Sequence, residues 1–465
     1  MEMIMKINST INGIVWGAPA LILIVGTGLF MSVRLGFPQF RKFGYVMKNT
    51  VGKIFQKTER KEGAVTPFQA MCTALAGTVG TGNIAGVCGA IAIGGPGAVF
   101  WMWISALLGM ATKFSEITLA VKYRERNSKG EWVGGPMYYI KNGLGKKWAW
   151  LGTIFAVLTA VCALGTGNAI QSNTIASSII EALHSFNLEF NEQTAALIIG
   201  VILAVLTAIV YFGGVQRIGQ VCELLIPAMA LFFIIAGIGV VVLRFDQVPS
   251  VFAAIFKGAF NPGAVCGGLA GTTMMTALQK GVARGVFSNE AGLGTAPIAH
   301  AAADVEHPVA QGIYGIFEVF CDTIVICTLT ALIVLCGNGV EGIEYGVAAN
   351  QTLTTAGFCS VYPTQVATTA MAVALSLFAF STILGWGVYG GRTAEYAFGE
   401  KAATPYKIIY CLMVVAGAVI DLGLVWDISD TLNGLMSIPN LTGVLLLSPV
   451  TVKLAKEYFA ANSKK

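Results

Sequence analysis

Apolar residues in this chain come in long blocks, each close to the roughly 20 residues that cross a bilayer as a helix, with short polar connections between them. Eleven such blocks are readable, at 14–33, 66–93, 97–123, 149–181, 194–212, 217–243, 262–283, 308–337, 365–391, 405–425 and 431–455. The pattern predicts an all-α polytopic membrane protein of eleven transmembrane helices. The first block, Ile14 to Met31, has the look of a signal peptide. No small-residue cleavage site stands out, however, and the same pattern recurs to the end of the sequence, so it reads as a retained span.

Composition agrees. Of 465 residues, 55% are hydrophobic and 11% charged, and the mean hydropathy is +0.72, which places most of the chain in lipid. The ten cysteines are scattered singly with no C-x-x-C pair. They read as packing residues, with no disulfide or zinc framework.

Charge fixes an orientation. Arg34, Arg41, Lys42, Lys48, Lys53, Lys57, Arg60 and Lys61 lie between the first two spans, and Lys122, Arg124, Arg126, Lys129, Lys141, Lys146 and Lys147 between the third and fourth. These loops are expected in the cytoplasm. The alternation holds to the C-terminus, with Lys6, Arg244 and Lys257 on the other side and Lys113 inside a span. Glu181, Glu189, Glu192, Glu341, Glu344, Asp427 and Asp430 occupy the opposite loops. The expectation is a multi-pass protein of the inner cell membrane with its N-terminus outside and C-terminus inside. The net charge of +5 then records topology and implies no nucleic-acid partner; no oligomer is implied either. Phe37, Phe40, Phe43 and Val46, three apart among basic residues, suggest a segment lying along the inner interface, with a plain solvated loop as the alternative.

The second block contains an anomaly. Gly77, Gly80, Gly82 and Gly86 surround Thr78, Thr81 and Asn83 at what should be mid-depth. Free peptide groups in hydrocarbon cost several kcal/mol each, so irregular backbone there must be buried in protein or line a watery cavity. Freed carbonyls can coordinate a cation, and freed N–H groups at the start of the next half-helix can hold a carboxylate. A zwitterion with a cation satisfies both ends. Close helix packing by small residues is the alternative, and Gly82 and Gly86 have that spacing. A second Gly- and Thr-rich block, Cys266 to Ala303, ends in "SNEAGLGTAP" and occupies the corresponding place five spans later. Two interrupted helices in matching positions point to an inverted-repeat transporter. "KFSE" at 113–116 and "GIFE" at 315–318 support the same pairing. The expected organisation is an extra helix (1–33), a basic cytoplasmic interfacial segment (34–65), two five-helix repeats (66–243 and 244–455) and a cytoplasmic tail (456–465).

The block "GGPGAVFWMWISALLG", Gly94 to Gly109, resembles the signature of the alanine or glycine:cation symporter family. "TALAGTVGTGNIAGV" precedes it and "GGPMYYI" follows at 134–140, and the likeness runs over essentially the whole chain. The resemblance implies the leucine-transporter fold of ten core helices plus one, and sodium-driven uptake of alanine or glycine, with sodium as the co-transported ion. "VGTGN", Val79 to Asn83, is similar to the stretch that holds sodium in sodium:neurotransmitter-type carriers of that fold. On that match Ala76 and Val79 donate carbonyls to one sodium, joined by Phe378 and the hydroxyls of Ser381 and Thr382 from "FSTILGW". The alternative is that the two hydroxyls bond their own helix backbone. Asn83 is expected to ligate a second cation or to orient the site, and the N–H groups of Thr81 and Gly82, beside Thr78 and Gly80, to take the substrate carboxylate.

Other pocket candidates are Gln171, after the repeated "GTGN" at Gly165 to Asn168, with an interhelical hydrogen bond as the alternative; Thr272, Thr273 and Thr276, flanking the second break; and Trp386, closing over a small side chain. Charges within spans cost about 2.5–3.5 kcal/mol each and need partners. Lys113 is expected to pair with Glu116, and Asp322, four residues after Glu318, either to touch the cation or to pair with Arg284; Glu223 is read in the same way. The three histidines, His184, His300 and His307, fall in expected loops, and no catalytic triad or G-x-x-x-x-G-K-[ST] motif is present, which argues against a membrane enzyme or ATP-driven pump. A channel would call for a continuous pore. The sequence therefore points to a symporter of sodium and a small neutral amino acid, with a same-fold carrier of another small zwitterion as the alternative.

Overall fold

A computed structural model of the chain describes residues 2–53, 64–260, 273–420 and 423–462. It is helical, apart from a two-stranded hairpin, Glu125–Arg126 with Trp132–Val133. Eight helices among the described residues are long and apolar enough to cross a membrane, or up to ten if two bent pairs each count as one span. The expected span 262–283 is described only from Thr273 onward, so that helix lies partly outside the described residues.

The helices sort into an inner and an outer set. Gly97–Lys122 has 83% of its apolar window buried, whereas Glu192–Tyr211 and Gly214–Leu243 have 28% each and Glu400–Val419 has 22%. The outer three present Leu, Ile and Val to lipid, as in Leu197, Ile202, Ile235 and Leu412. The inner set buries polar side chains instead, including Thr78, Thr81, Asn83, Gln171, Ser381 and Asp322.

Pro67–Thr78 begins with a reciprocal cap: Gln69 N donates to Thr66 Oγ1 at 3.1 Å and Thr66 N to Gln69 Oε1 at 3.2 Å, while Pro67 occupies a first-turn position that has no N–H to lose. The span then bends by 57° before Thr81–Gly94. The helix Lys146–Ser185 is continuous but carries a π-type turn at Gly165–Ala169. The absence of a Cβ at Gly167 lets Trp386 approach, since a Cβ there would lie 2.2 Å from Trp386 Cβ.

Several expectations are corrected. The last span runs Gly423–Leu446, and Ser448–Asn462 leaves it at 59°, so 431–455 is not one straight helix. Within the described part of the basic segment, Pro38–Arg41 and Phe43–Asn49 are short helices rather than a plain loop, with Phe40 exposed and Val46 fully buried. Lys113 does not pair with Glu116. Its Nζ donates to Asn289 O at 2.7 Å and lies 3.8 Å from Glu318 Oε2, while Glu116 accepts from Asn440 Nδ2. Arg284 meets Asp430 at 3.4 Å rather than Asp322, and Glu223 accepts from Gln69 Nε2 at 2.9 Å. His300 is no loop residue. It is fully buried at the end of the short helix Ala296–His300, against Glu318. The nine described cysteines are all free, as packing residues should be.

Candidate functional site

The site is built on the first break. The helix Pro67–Thr78 closes its last turn with Val79 N donating to Leu75 O at 2.7 Å. Gly80 is extended (φ −144°, ψ −152°), and its N–H turns to Asn83 Oδ1 at 2.8 Å rather than back to Ala76. A short 3₁₀ turn follows, with Asn83 N on Gly80 O and Ile84 N on Thr81 O, both at 3.2 Å. Among the described hydrogen bonds none engages the carbonyls of Ala76 or Val79, or the N–H groups of Thr81 and Gly82. Buried peptide groups are otherwise almost always paired, so this stretch holds acceptors and donors ready for something else.

The helix Thr364–Phe398 packs directly on this break. A Cβ on Gly80 would fall 2.3 Å from Thr382 Oγ1, and one on Gly385 would fall 2.5 Å from Gly77 N. Only glycine permits that approach. Ser381 and Thr382 donate to Phe378 O at 2.8 and 3.0 Å, the bonds to their own helix backbone that the alternative reading expects, and their oxygens keep acceptor lone pairs. Trp386 Nε1 donates to Gly77 O at 3.2 Å and Tyr389 OH to Ala74 O at 3.2 Å, anchoring the two helices across the break. At its far end the same helix is clamped to the hairpin by Arg392, 2.8 Å from Glu131 and 2.9 Å from Glu395. Burial pushes the Glu131 carboxyl up, but the Arg392 guanidinium outweighs it and holds the group below its ordinary value.

A small cavity opens at the break. Gly77, Thr78, Gly80, Thr81 and Gly82 of the break line it together with Thr382 and Trp386 of the helix packed on the break. Thr166, Gln171, Phe287, Glu290 and Asn433 complete the lining, and Asn433 Nδ2 donates to Thr166 Oγ1 at 3.1 Å. Gln171 Nε2 donates to Thr166 O at 2.9 Å, while its Oε1 is buried with no partner.

The break thus gathers the residues expected at it: Thr78, Gly80, Thr81, Gly82, Gln171, Thr382 and Trp386 line the cavity, and Ala76, Val79, Phe378 and Ser381 flank it. Asn83 sits behind the wall. Its Oδ1 is engaged by Gly80 N, and its Nδ2 donates to Asp322 Oδ1 at 2.7 Å. Thr273 and Thr276 do not belong to the site. Thr273 caps the exposed start of Met274–Asn289, with its Oγ1 accepting from Thr276 N at 3.2 Å. Thr272 lies outside the described residues.

The second interruption is further along, between Met274–Asn289 and Ala296–His300. Glu290 takes a left-handed conformation (φ 55°), and Gly292 and Gly294 have φ of 99° and 86°. Lys113 Nζ meets the carbonyl at the end of the first half, where a helix C-terminus favours a cation. Asn440 Nδ2 holds Gly292 O at 2.9 Å. Beyond the turn, His300 contacts Glu318 and meets Gln311 Nε2 at 2.7 Å. Glu290, Phe287 and Asn433 were not among the expected site residues. The available signal for Glu290 was an acidic residue inside a Gly-rich stretch of an apolar block. Among the described residues no group of three or more His, Cys, Asp or Glu could hold a metal ion.

The sodium:alanine symporter family matches residues 1–465. The sodium/alanine symporter AgcS of Methanococcus maripaludis is 43% identical over 98% of this chain and 98% of its own. The probable sodium/glutamine symporter GlnT of Bacillus subtilis is 37% identical over 96% of this chain and 89% of its own. Among solved structures, MhsT in complex with L-phenylalanine superposes with a TM-score of 0.58 at 12% identity, covering 85% of this chain and 99% of that one. At that identity the likeness shows the fold, that of the leucine-transporter type.

Proposed function

The chain belongs to the sodium:alanine symporter family, a multi-pass membrane protein family whose co-transported ion is sodium, and we propose that it couples inward sodium movement to uptake of alanine or glycine by alternating access. The observation that carries this reading is the first break, where unpaired carbonyls and unpaired N–H groups flank one small buried cavity. Sodium binds the carbonyls of Ala76, Val79 and Phe378 with the hydroxyls of Ser381 and Thr382, a set of neutral oxygens of the kind hard cations take. The substrate carboxylate accepts from Thr81 and Gly82 N–H, at the positive end of the following half-helix. The free Gln171 Oε1 accepts from the substrate ammonium. Trp386 and Phe287, both in the cavity lining, bound the side chain.

Each ligand helps the other. Sodium on the carbonyls holds the break in the shape that presents the two amides, a coupling of about 1–3 kcal/mol in typical cases. Rocking of one helix bundle against the other then releases both on the cytoplasmic side. The two interrupted helices belong to two inverted five-helix repeats, 66–243 and 244–455, in an inner membrane with the N-terminus outside and the C-terminus inside.

The test is radiolabelled alanine uptake by proteoliposomes with and without an inward sodium gradient. Gradient-dependent accumulation is expected. In the Thr382→Val variant the sodium concentration for half-maximal uptake should rise about tenfold, the loss of one oxygen ligand being worth about 1.4 kcal/mol. Unchanged sodium dependence would contradict the ion assignment. If alanine fails to accumulate and another small zwitterion does, the substrate class stands and the substrate does not.

A further inference from the structure

Six ionisable side chains are buried around the second break: Lys113, Glu116, Glu290, His300, Glu318 and Asp322, none more than 3% exposed. A lone charge inside a membrane is expensive, so each needs a partner. Glu318 has Lys113 and His300. Glu116 has the Asn440 amide. Asp322 accepts from Asn83 Nδ2, Ser288 Oγ and Thr323 Oγ1 at 2.7–2.9 Å. Glu290 differs from all of them in facing the cavity. Its Oε2 accepts from Thr295 Oγ1, and no cation among the described residues comes within ion-pair distance of it. Its backbone is held in the left-handed region, uncommon for a side chain of this size and a pointer to a positional demand.

Gln171, whose Oε1 is buried with no partner, lines the same cavity, as do Thr81 and Gly82, whose N–H groups are engaged by none of the described hydrogen bonds. The cavity therefore brings backbone donors and side-chain acceptors together, and Glu290 is the acidic residue of its lining. We propose that Glu290 is the counter-charge for the ammonium group of the transported amino acid, and hence the residue that selects an amino acid over a carboxylate of the same shape without an ammonium. Gln171 orients the ammonium and Glu290 compensates its charge. A charge-assisted hydrogen bond in a dry site is much stronger than a neutral one, and a site built for an ammonium rejects an analogue that leaves its carboxylate unpaired. Thr295 is a positioning residue, fixing the Glu290 carboxyl from behind.

This inference rests on the amino-acid reading of the cavity. It is tested in proteoliposomes of the full chain by alanine uptake and its inhibition by L-lactate, which keeps the carboxylate and methyl of alanine and replaces the ammonium with a hydroxyl. For Glu290→Gln the alanine KM should rise at least about tenfold and the alanine-over-lactate preference should fall by a similar factor, with half-saturation by sodium, measured at saturating alanine, unchanged. Glu290→Asp, which keeps the charge, should recover most of the preference. If Glu290→Gln does not reconstitute, Thr295→Val reads the same preference and should lower it more weakly. A wild-type alanine-over-lactate ratio in these variants would overturn the proposal, as would a shift in sodium dependence with the ratio intact. Sodium-driven uptake by the wild-type protein is the separate control: its absence would count against the symporter reading itself.

Discussion

The two interrupted helices meet the same physical problem with opposite chemistry. At Val79–Asn83 the backbone is opened with no ionisable side chain in the turn, and peptide groups are left to face a cavity beside Thr382. At Glu290–Thr295 the turn is bracketed by charge, with Lys113 on the carbonyl of Asn289, Glu318 against Lys113 and His300, and Asn440 on Gly292 O. A neutral break presents partial charges whose ligands can come and go. A charged break fixes its own ends by side-chain contacts with neighbouring helices and leaves one carboxylate, Glu290, turned inward. On the proposed function the first break exchanges ion and substrate carboxylate through its peptide groups, while the second is held by its side-chain contacts and contributes Glu290 to the shared cavity.

The largest effect should come from closing the first break. Gly80→Ala puts a Cβ 2.3 Å from Thr382 Oγ1, a distance that real side chains do not tolerate, so the break must shift away from that helix. Sodium-dependent uptake should fall to background while the purified protein remains monodisperse; near-normal uptake would show that the contact is not needed. Next comes the frame of the second break. Lys113→Met leaves Glu318 with only His300 and strips the Asn289 carbonyl of its donor, and breaking a buried pair in this way costs about 3–5 kcal/mol. Thermal unfolding in detergent should drop by many degrees, and Lys113→Met with Glu318→Gln together should recover part of it. If the single variant unfolds at the wild-type temperature, the second break is not held by this pair. The smallest effect belongs to the residue displaced from the site. Thr273→Ala removes a helix cap worth about 1 kcal/mol and should leave the alanine KM and sodium dependence unchanged in the same uptake assay.

The first break was legible because glycines and hydroxyl residues interrupt an otherwise apolar block, a pattern with few physical explanations inside lipid. Ser381 and Thr382 follow from the resemblance alone, and Thr382 has a local reason in its close approach to Gly80. The second break falls inside the block expected for it, Cys266 to Ala303, but not beside the threonines expected to flank it. Its Thr-rich start, at Thr273 and Thr276, makes an exposed cap, whereas the turn itself sits where Gly292 and Gly294 take positive φ and Pro297 starts the next helix. The buried charges were mispaired for a related reason. A spacing of three along one helix links Lys113 to Glu116, but their actual partners, Glu318 and Asn440, come from other helices far along the chain. His300 was taken for a loop residue because a five-residue helix between breaks has no hydrophobic period to announce it.

On the proposed mechanism ion and substrate share the peptide groups of one broken helix. The decisive experiment is equilibrium binding of radiolabelled alanine to the purified protein as sodium is exchanged for potassium at constant ionic strength. Alanine affinity should fall about tenfold or more without sodium, in line with a coupling of about 1–3 kcal/mol, and the Thr382→Val variant should bind weakly in both salts. Equal alanine affinity in sodium and potassium by the wild-type protein would contradict it.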